Sequence, residues 1–190
     1  MAIVIKSEDN LYRYVLSDGS GQNKLYIMGI NPSNATVENG NRINNNGIIE
    51  ENGLLNSDPT IETVRNIANH HGFDYWAMLN IYPQRSPMPN NLPLNYIENE
   101  HLININEICN IVSDNSVIFA GWGDSISIRP YLRVCLNEIA TRLNNKNVQW
   151  KCAELTRRGN PKHPLYFRRI NRMDILYQPF INFDIAAYFE

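Results

Sequence analysis

Strand-like and helix-like segments alternate through this 190-residue chain, and that alternation constrains its fold more than any other feature. Residues 75–82 (YWAMLNIY) read as a strand and 96–112 as a helix carrying Ile97, Leu102, Ile105, Ile108, Ile111 and Val112. Residues 116–120 (SVIFA) form a continuous apolar run, the pattern of a strand buried on both faces. A helix over 129–143, opened by Pro130, and a strand over 148–155 follow. Upstream, 11–16 (LYRYVL) and 24–30 (KLYIMGI), joined by SDGSGQ, read as a hairpin. Residues 33–56, rich in Asn and Gly with little periodicity, read as a long loop. Ser57 or Asp58 then caps a helix with Pro59 in its first turn and a stripe of Ile61, Val64, Ile67 and Ala68, ended by Gly72. A last helical piece and QPFINFDIAAYFE close the chain. The order β-β-α-β-α-β-α-β predicts an α/β fold, a three-layer α/β/α arrangement with a central, mainly parallel four-stranded sheet plus an N-terminal hairpin strand, in a single domain over 1–190. In such sheets ligands bind beyond the carboxyl ends of the strands.

Composition removes several function classes. Hydrophobic residues at 43% are enough for a core, and charged residues at 19% are too few for a disordered polyampholyte. Cys109, Cys135 and Cys152 stand alone, without a CxxC pair, so neither a disulfide framework nor a structural metal is expected. No P-loop, GxGxxG, HExxH or GxSxG occurs, and no cofactor is implied. With no signal-like start and no run of 18 apolar residues, the expectation is a cytoplasmic protein without a membrane partner.

Charge is uneven. Residues 151–172 hold seven basic side chains, Lys151, Arg157, Arg158, Lys162, Arg168, Arg169 and Arg172, against the single acid Glu154. That segment carries +6 in a chain of net charge −2, so the remainder carries −8. An acidic body with one basic segment fits a localised anion-binding face, or a solvated surface paired with the body's acids.

The four strand ends carry the chemistry. The first delivers Gly29-Ile30-Asn31-Pro32-Ser33, the second Asn80 running into Pro83-Gln84-Arg85, the third Gly121-Trp122-Gly123-Asp124, and the fourth Asn160-Pro161-Lys162-His163-Pro164. Asn31 offers an amide that orients a water or holds a carbonyl, or simply a turn residue. Asn80 has the donor and acceptor that suit a nucleobase edge, or is a buried amide bonded to backbone. Gly121 and Gly123 allow close backbone approach. His163 stabilises a developing anion or contacts a phosphate, or is a turn histidine held by Pro164. Trp122 reads equally as core.

These segments, in this order, resemble the uracil-DNA glycosylase superfamily: MGINPS is similar to its first motif, WAMLNIYPQR to its Leu-Leu-Asn strand, IFAGWG to its strand ending in Trp-Gly, and KHPLY to its His-Pro-Ser motif. NPS, SDPT, LNIYPQR, the WG strand and GNPKHPLY resemble more closely a bacterial and phage family described as domain of unknown function 1643. The resemblance spans about residues 12–170. It implies that Asn31 positions the attacking water, Asn80 hydrogen-bonds the base and His163 stabilises the leaving base. Gly29, Ile30, Pro32, Ser33, Arg85, Trp122, Gly123, Lys162 and Tyr166 would complete the ligand contacts, with Leu165, Tyr166 and Phe167 at the wedge position and Arg157, Arg158, Arg168 and Arg169 on phosphates. Three departures stand out: no Phe, Tyr or Trp occurs between Tyr26 and Phe73 to stack on a base, Asn replaces the water-activating Asp, and His-Pro is followed by Leu-Tyr. Asp58 is the candidate acid in place of the missing one, and equally a helix N-cap. No metal site is evident, although a convergence of Asp58, Asp124 and His163 is left open.

The resulting expectation is a nucleobase- or nucleotide-recognising protein that hydrolyses an N-glycosidic bond in DNA or a nucleotide. A non-catalytic nucleotide or modified-base binder is the alternative, and a protein-binding module with the 83–93 and 33–56 segments as its surfaces is the third.

Overall fold

The computed structural model describes residues 1–190. Ten strands form one sheet: β1 (Ala2–Ser7), β2 (Arg13–Gly19), β3 (Lys24–Gly29), β4 (Thr36–Glu38), β5 (Arg42–Asn45), β6 (Ile48–Asn56), β7 (Tyr75–Asn80), β8 (Val117–Ala120), β9 (Gln149–Cys152) and β10 (Ile181–Asn182). Five helices accompany it: α1 (Pro59–His70), α2 (Glu98–Ile111), α3 (Pro130–Leu143), α4 (Pro164–Arg169) and α5 (Met173–Leu176). The spatial order is β10-β9-β8-β3-β7-β2-β1-β6-β4, with β5 on β6.

This overturns the expectation of a central, mainly parallel four-stranded sheet. β3 pairs in parallel with β7 and β8, and β8 with β9, but the other six pairings are antiparallel. The miss has two physical sources. First, 33–56 is not a loop. Asn46 and Gly47, at φ 53° and 89°, make the two-residue connection between β5 and β6, whose register runs from Asn45↔Ile48 to Arg42↔Glu51. Positive φ at both turn positions matches the twist of a tight hairpin, and Asn-Gly supplies it. β6 in turn pairs with β1, a strand absent from the sequence reading.

Second, 11–16 and 24–30 do not pair with each other. β7 lies between them, antiparallel to β2 and parallel to β3. The 19–24 connection therefore crosses the start of β7 instead of closing a hairpin. It passes so close that a Cβ on Gly21 would lie 1.9 Å from Cβ of Asp74.

Helices cover both faces of the sheet. One core holds Ile105 and Ile108 of α2 and Leu132, Leu136 and Ile139 of α3 against Tyr26, Met28 and Leu79. The other holds Ile61, Val64, Ile67 and Ala68 of α1 and Phe167 of α4 against Leu25, Ile27 and Phe119. α1 forms where the sequence pattern puts it: Asp58 accepts from Thr60 and Ile61 N–H, Pro59 takes the first turn, and the stripe residues are all fully buried. Each of its Ile and Val side chains contributes roughly 1.5–3 kcal/mol on burial. No helix is long and apolar enough to cross a membrane.

Candidate functional site

The four mutually parallel strands, β7, β3, β8 and β9, end along one edge, and the chain segments leaving them enclose a cleft of about 810 Å³. Ile30, Asn31 and Ser33 follow β3, Ser86 and Pro87 follow β7, Trp122, Gly123 and Asp124 follow β8, and Leu155, Thr156 and Arg157 follow β9. Lys162, His163, Tyr166 and Arg169 close it from the α4 side. The volume suits a ligand of nucleotide size.

Close packing places His163. A Cβ on Gly121 would lie 2.8 Å from Cδ of Pro164, so only glycine lets α4 approach the end of β8 this closely. The Gly123 N–H donates to the Pro161 carbonyl at 2.7 Å and ties the two segments together. His163 is the residue preceding α4, and its Nδ1 accepts the Leu165 N–H at 3.1 Å. An accepting Nδ1 leaves the neutral ring's proton on Nε2. Burial, then the charge of Arg169, pushes the His163 pKa down to about 4. The ring is therefore neutral near pH 7, and Nε2–H is its donor.

Asn31 is oriented just as firmly. Its Nδ2 donates to the Ser86 carbonyl at 2.8 Å and the Pro32 carbonyl at 3.2 Å. The side-chain oxygen remains as an acceptor. Ser86 carries no motif of its own and directly follows the Pro-Gln-Arg segment.

Asp58 has no comparable freedom. Oδ1 accepts from Thr60 and Ile61 N–H at 2.9 and 3.0 Å, and Oδ2 from Ala35 N–H at 3.1 Å. Burial alone would raise its carboxyl, but the Ser33 hydroxyl, these N–H groups and the Arg13 charge outweigh it and leave it below the usual range. Arg13, itself fully buried, donates to the Ala35 carbonyl at 2.8 Å. Asp58 does not line the cleft, and of the three residues whose convergence was left open, only Asp124 and His163 do.

Of the other residues expected at the site, Gly29, Pro32, Asn80, Arg85, Arg158, Arg168 and the wedge candidate Phe167, which is fully buried in the core, also lie off the cleft lining. Asn80 is fully buried beside Gly29, and neither its Oδ1 nor its Nδ2 finds a partner. Arg85 donates to Oδ1 of Asn10 and the carbonyl of Asn34. Arg168 is taken by Glu62 at 2.7 Å. Trp122 borders the cleft yet is 1% exposed, packed against Trp150, Phe183 and Tyr188.

The basic residues on the cleft differ in availability. Lys162 pairs with Glu154 at 2.7 Å and lies 4.9 Å from the Tyr166 ring centre. Arg157 and Arg169 line the cleft without an ion pair. Tyr166, 42% exposed, presents an aromatic ring to the cleft, whereas the 27–72 stretch offers none.

A family model described as "Protein of unknown function (DUF1643)" matches residues 51–165, more than half of the chain. The chain belongs to that family. The DUF1643 match takes in the cleft segments after β7, β8 and β9 together with Lys162 and His163, and begins after Asn31. No curated protein and no solved structure matches.

Sequence reasoning missed Thr60, Ser86, Pro87, Pro89, Ser125, Leu155 and Thr156, and treated Asp124 only as part of an open convergence. Ser86, Pro87, Asp124, Ser125 and Thr156 each adjoin a selected motif, so contiguity was the available signal. Thr60 enters from the N-terminus of α1 as the last residue of the SDPT motif, of which only Asp58 carries an expected role.

Proposed function

We propose that the cleft binds a nucleotide and hydrolyses its N-glycosidic bond. The observation that carries this reading is the pairing of an acceptor-only Asn31 oxygen with a neutral, donor-only His163 Nε2 in one cleft. Hydrolysis of a glycosidic bond needs a water held on one side of the sugar and relief of negative charge on the departing base at the other. Asn31 Oδ1 holds the water by accepting a hydrogen bond from it; as the water's oxygen bonds to the sugar carbon and the C–N bond breaks, the water's proton passes through solvent to the departing base. His163 Nε2–H donates to the base as negative charge develops on it. A neutral imidazole already hydrogen-bonded at Nδ1 stays fixed while doing so. Arg157 and Arg169 meet the phosphate, and the Tyr166 ring offers a face for stacking.

The test is release of free base, followed by mass spectrometry, from a panel of nucleotides and oligonucleotides that includes uracil and common modified bases. Release that disappears in Asn31→Ala and His163→Ala supports the reading, and no release from any substrate defeats it.

One observation favours binding without turnover. Asn31 is not a base, and Asp58, the carboxylate expected to stand in, is consumed by hydrogen bonds. That reading expects a nucleotide retained unconverted by the protein.

A further inference from the structure

Asp124 lines the cleft with one oxygen fully used. Its Oδ1 accepts the Thr156 hydroxyl and the Asn160 Nδ2, both at 2.7 Å. Those bonds, chiefly from Asn160 and then Thr156, hold its carboxyl below the usual range, so it is an anion near pH 7. Asn160 is 3% exposed and is oriented in turn from the C-terminal segment: the Tyr188 hydroxyl donates to its Oδ1, while Trp122 Nε1 donates to the Tyr188 oxygen at 3.3 Å. A chain of four side chains from three separate segments thus fixes the plane of one carboxylate at the cleft.

We infer that Asp124 accepts from the 2′-hydroxyl of a ribose, which makes the ligand a small ribonucleotide and not a deoxyribonucleotide. The inference rests on the nucleotide reading of the same cleft. A carboxylate oxygen has about two acceptor positions, and Oδ1 has filled both. Only Oδ2 remains. A guanine-type N1–H and N2–H edge needs two carboxylate oxygens side by side, and Asp124 cannot offer them. A sugar hydroxyl needs one, and carboxylate-to-ribose contacts use this chemistry. The cleft is also polarised to suit: Asp124 supplies an acceptor, while Arg157 and Arg169 supply cations for a phosphate. The −8 carried by the rest of the chain repels a long polyanion more than a mononucleotide.

The test measures equilibrium binding of adenosine, guanosine, cytidine and uridine 5′-monophosphates beside their 2′-deoxy forms, with a single-stranded ribo-oligonucleotide as a further arm. For the best-bound base, the ribose form binds about tenfold to a hundredfold more tightly, the worth of a hydrogen bond to a charged acceptor. Asp124→Asn brings the two forms to near-equal affinity. Tyr188→Phe lowers the ratio by a smaller factor, which a purely structural role for the tail would not do. Equal binding of ribo and deoxy forms by the wild-type protein overturns the inference and leaves the nucleotide reading intact, as does a preference that survives Asp124→Asn. Tighter binding of the oligonucleotide than of any monophosphate overturns the free-nucleotide part. No binding of any nucleotide overturns both readings. If Asp124→Asn fails to fold, equal wild-type binding of the two forms still overturns the inference, and a ratio unchanged in Tyr188→Phe counts against Asp124 as the reader.

Discussion

The two walls of the cleft use their polar groups in opposite ways. Behind the wall built from the end of β3 and the start of α1, polar groups are committed to the protein: Asp58 caps α1 and anchors Ala35, Arg13 is buried beneath Ser33 and Ala35, and the Asn31 amide is held by Ser86, which leaves its oxygen to the cleft. On the wall formed by 155–169, the Nε2–H of His163 and the side chains of Arg157 and Arg169 have no protein partner. A polar group bonded within the protein contributes to stability, and one left facing a cleft is available to a ligand. The difference is visible between sequence neighbours: Arg168 is engaged by Glu62, and Arg169 is not.

Substitutions of the cleft-facing groups, His163, Arg157, Arg169 and the Asn31 oxygen, should therefore report on ligand chemistry, and those of the committed groups Asp58 and Arg13 on folding. The largest effect is expected for His163→Ala, which lowers the rate of base release by about 10²–10³-fold, the range for removing one donor to a developing anion. A rate within a factor of two of wild type would place the donor elsewhere. Asp58→Ala should act on stability instead. It removes the α1 cap and leaves the Arg13 guanidinium buried without its counter-charge, at a cost of about 2–4 kcal/mol. Thermal unfolding should shift down by roughly 4–16 °C for a chain of this length. A variant that keeps its unfolding midpoint but loses base release would reassign Asp58 to the site.

Arg169→Ala and Arg168→Ala give a paired contrast. The first weakens nucleotide binding about tenfold, as loss of a charged hydrogen bond to phosphate does. The second changes binding little and stability by about 0–1 kcal/mol, because its ion pair with Glu62 is solvent-exposed. Equal effects of the two on binding would erase the distinction between paired and unpaired cations.

A further effect concerns pH. His163 titrates near its usual value of 6.5 in the unfolded chain and near 4 in the folded one. The unfolded state therefore binds the extra proton first as pH falls, and stability declines between about pH 6.5 and pH 4. His101, also depressed, chiefly by burial, adds to the same slope. The difference in slope between wild type and His163→Gln isolates the His163 share. Identical slopes would mean that His163 is not depressed.

Much of the cleft was legible because turn-forming residues at the ends of successive strands must come to one edge when those strands run parallel. Asn31, Trp122–Gly123 and the Lys162–His163 segment were found in that way. The extended antiparallel part of the sheet was not. β4 has three residues, β5 is exposed throughout and β6 is mostly part-buried with no regular alternation, so none shows the apolar alternation that marks a strand, and only the Asn46-Gly47 turn betrays them. The hairpin between 11–16 and 24–30 failed for a different reason. Local turn chemistry cannot reveal that a strand from residues 75–80, far along the chain, comes between them. Asp58 illustrates a third limit. Its residue type fits both a cap and a catalytic acid, and only the bonds it makes separate the two.

The central claim is a neutral His163 that donates from Nε2 into a nucleotide cleft. ¹⁵N NMR of the imidazole tests it most directly. The account predicts a protonated Nε2 and an unprotonated Nδ1 from pH 5 to 8, with the Nε2 signal moving when a nucleoside monophosphate is added. A proton on Nδ1, a titration near 6.5, or an Nε2 signal indifferent to every nucleotide would contradict it.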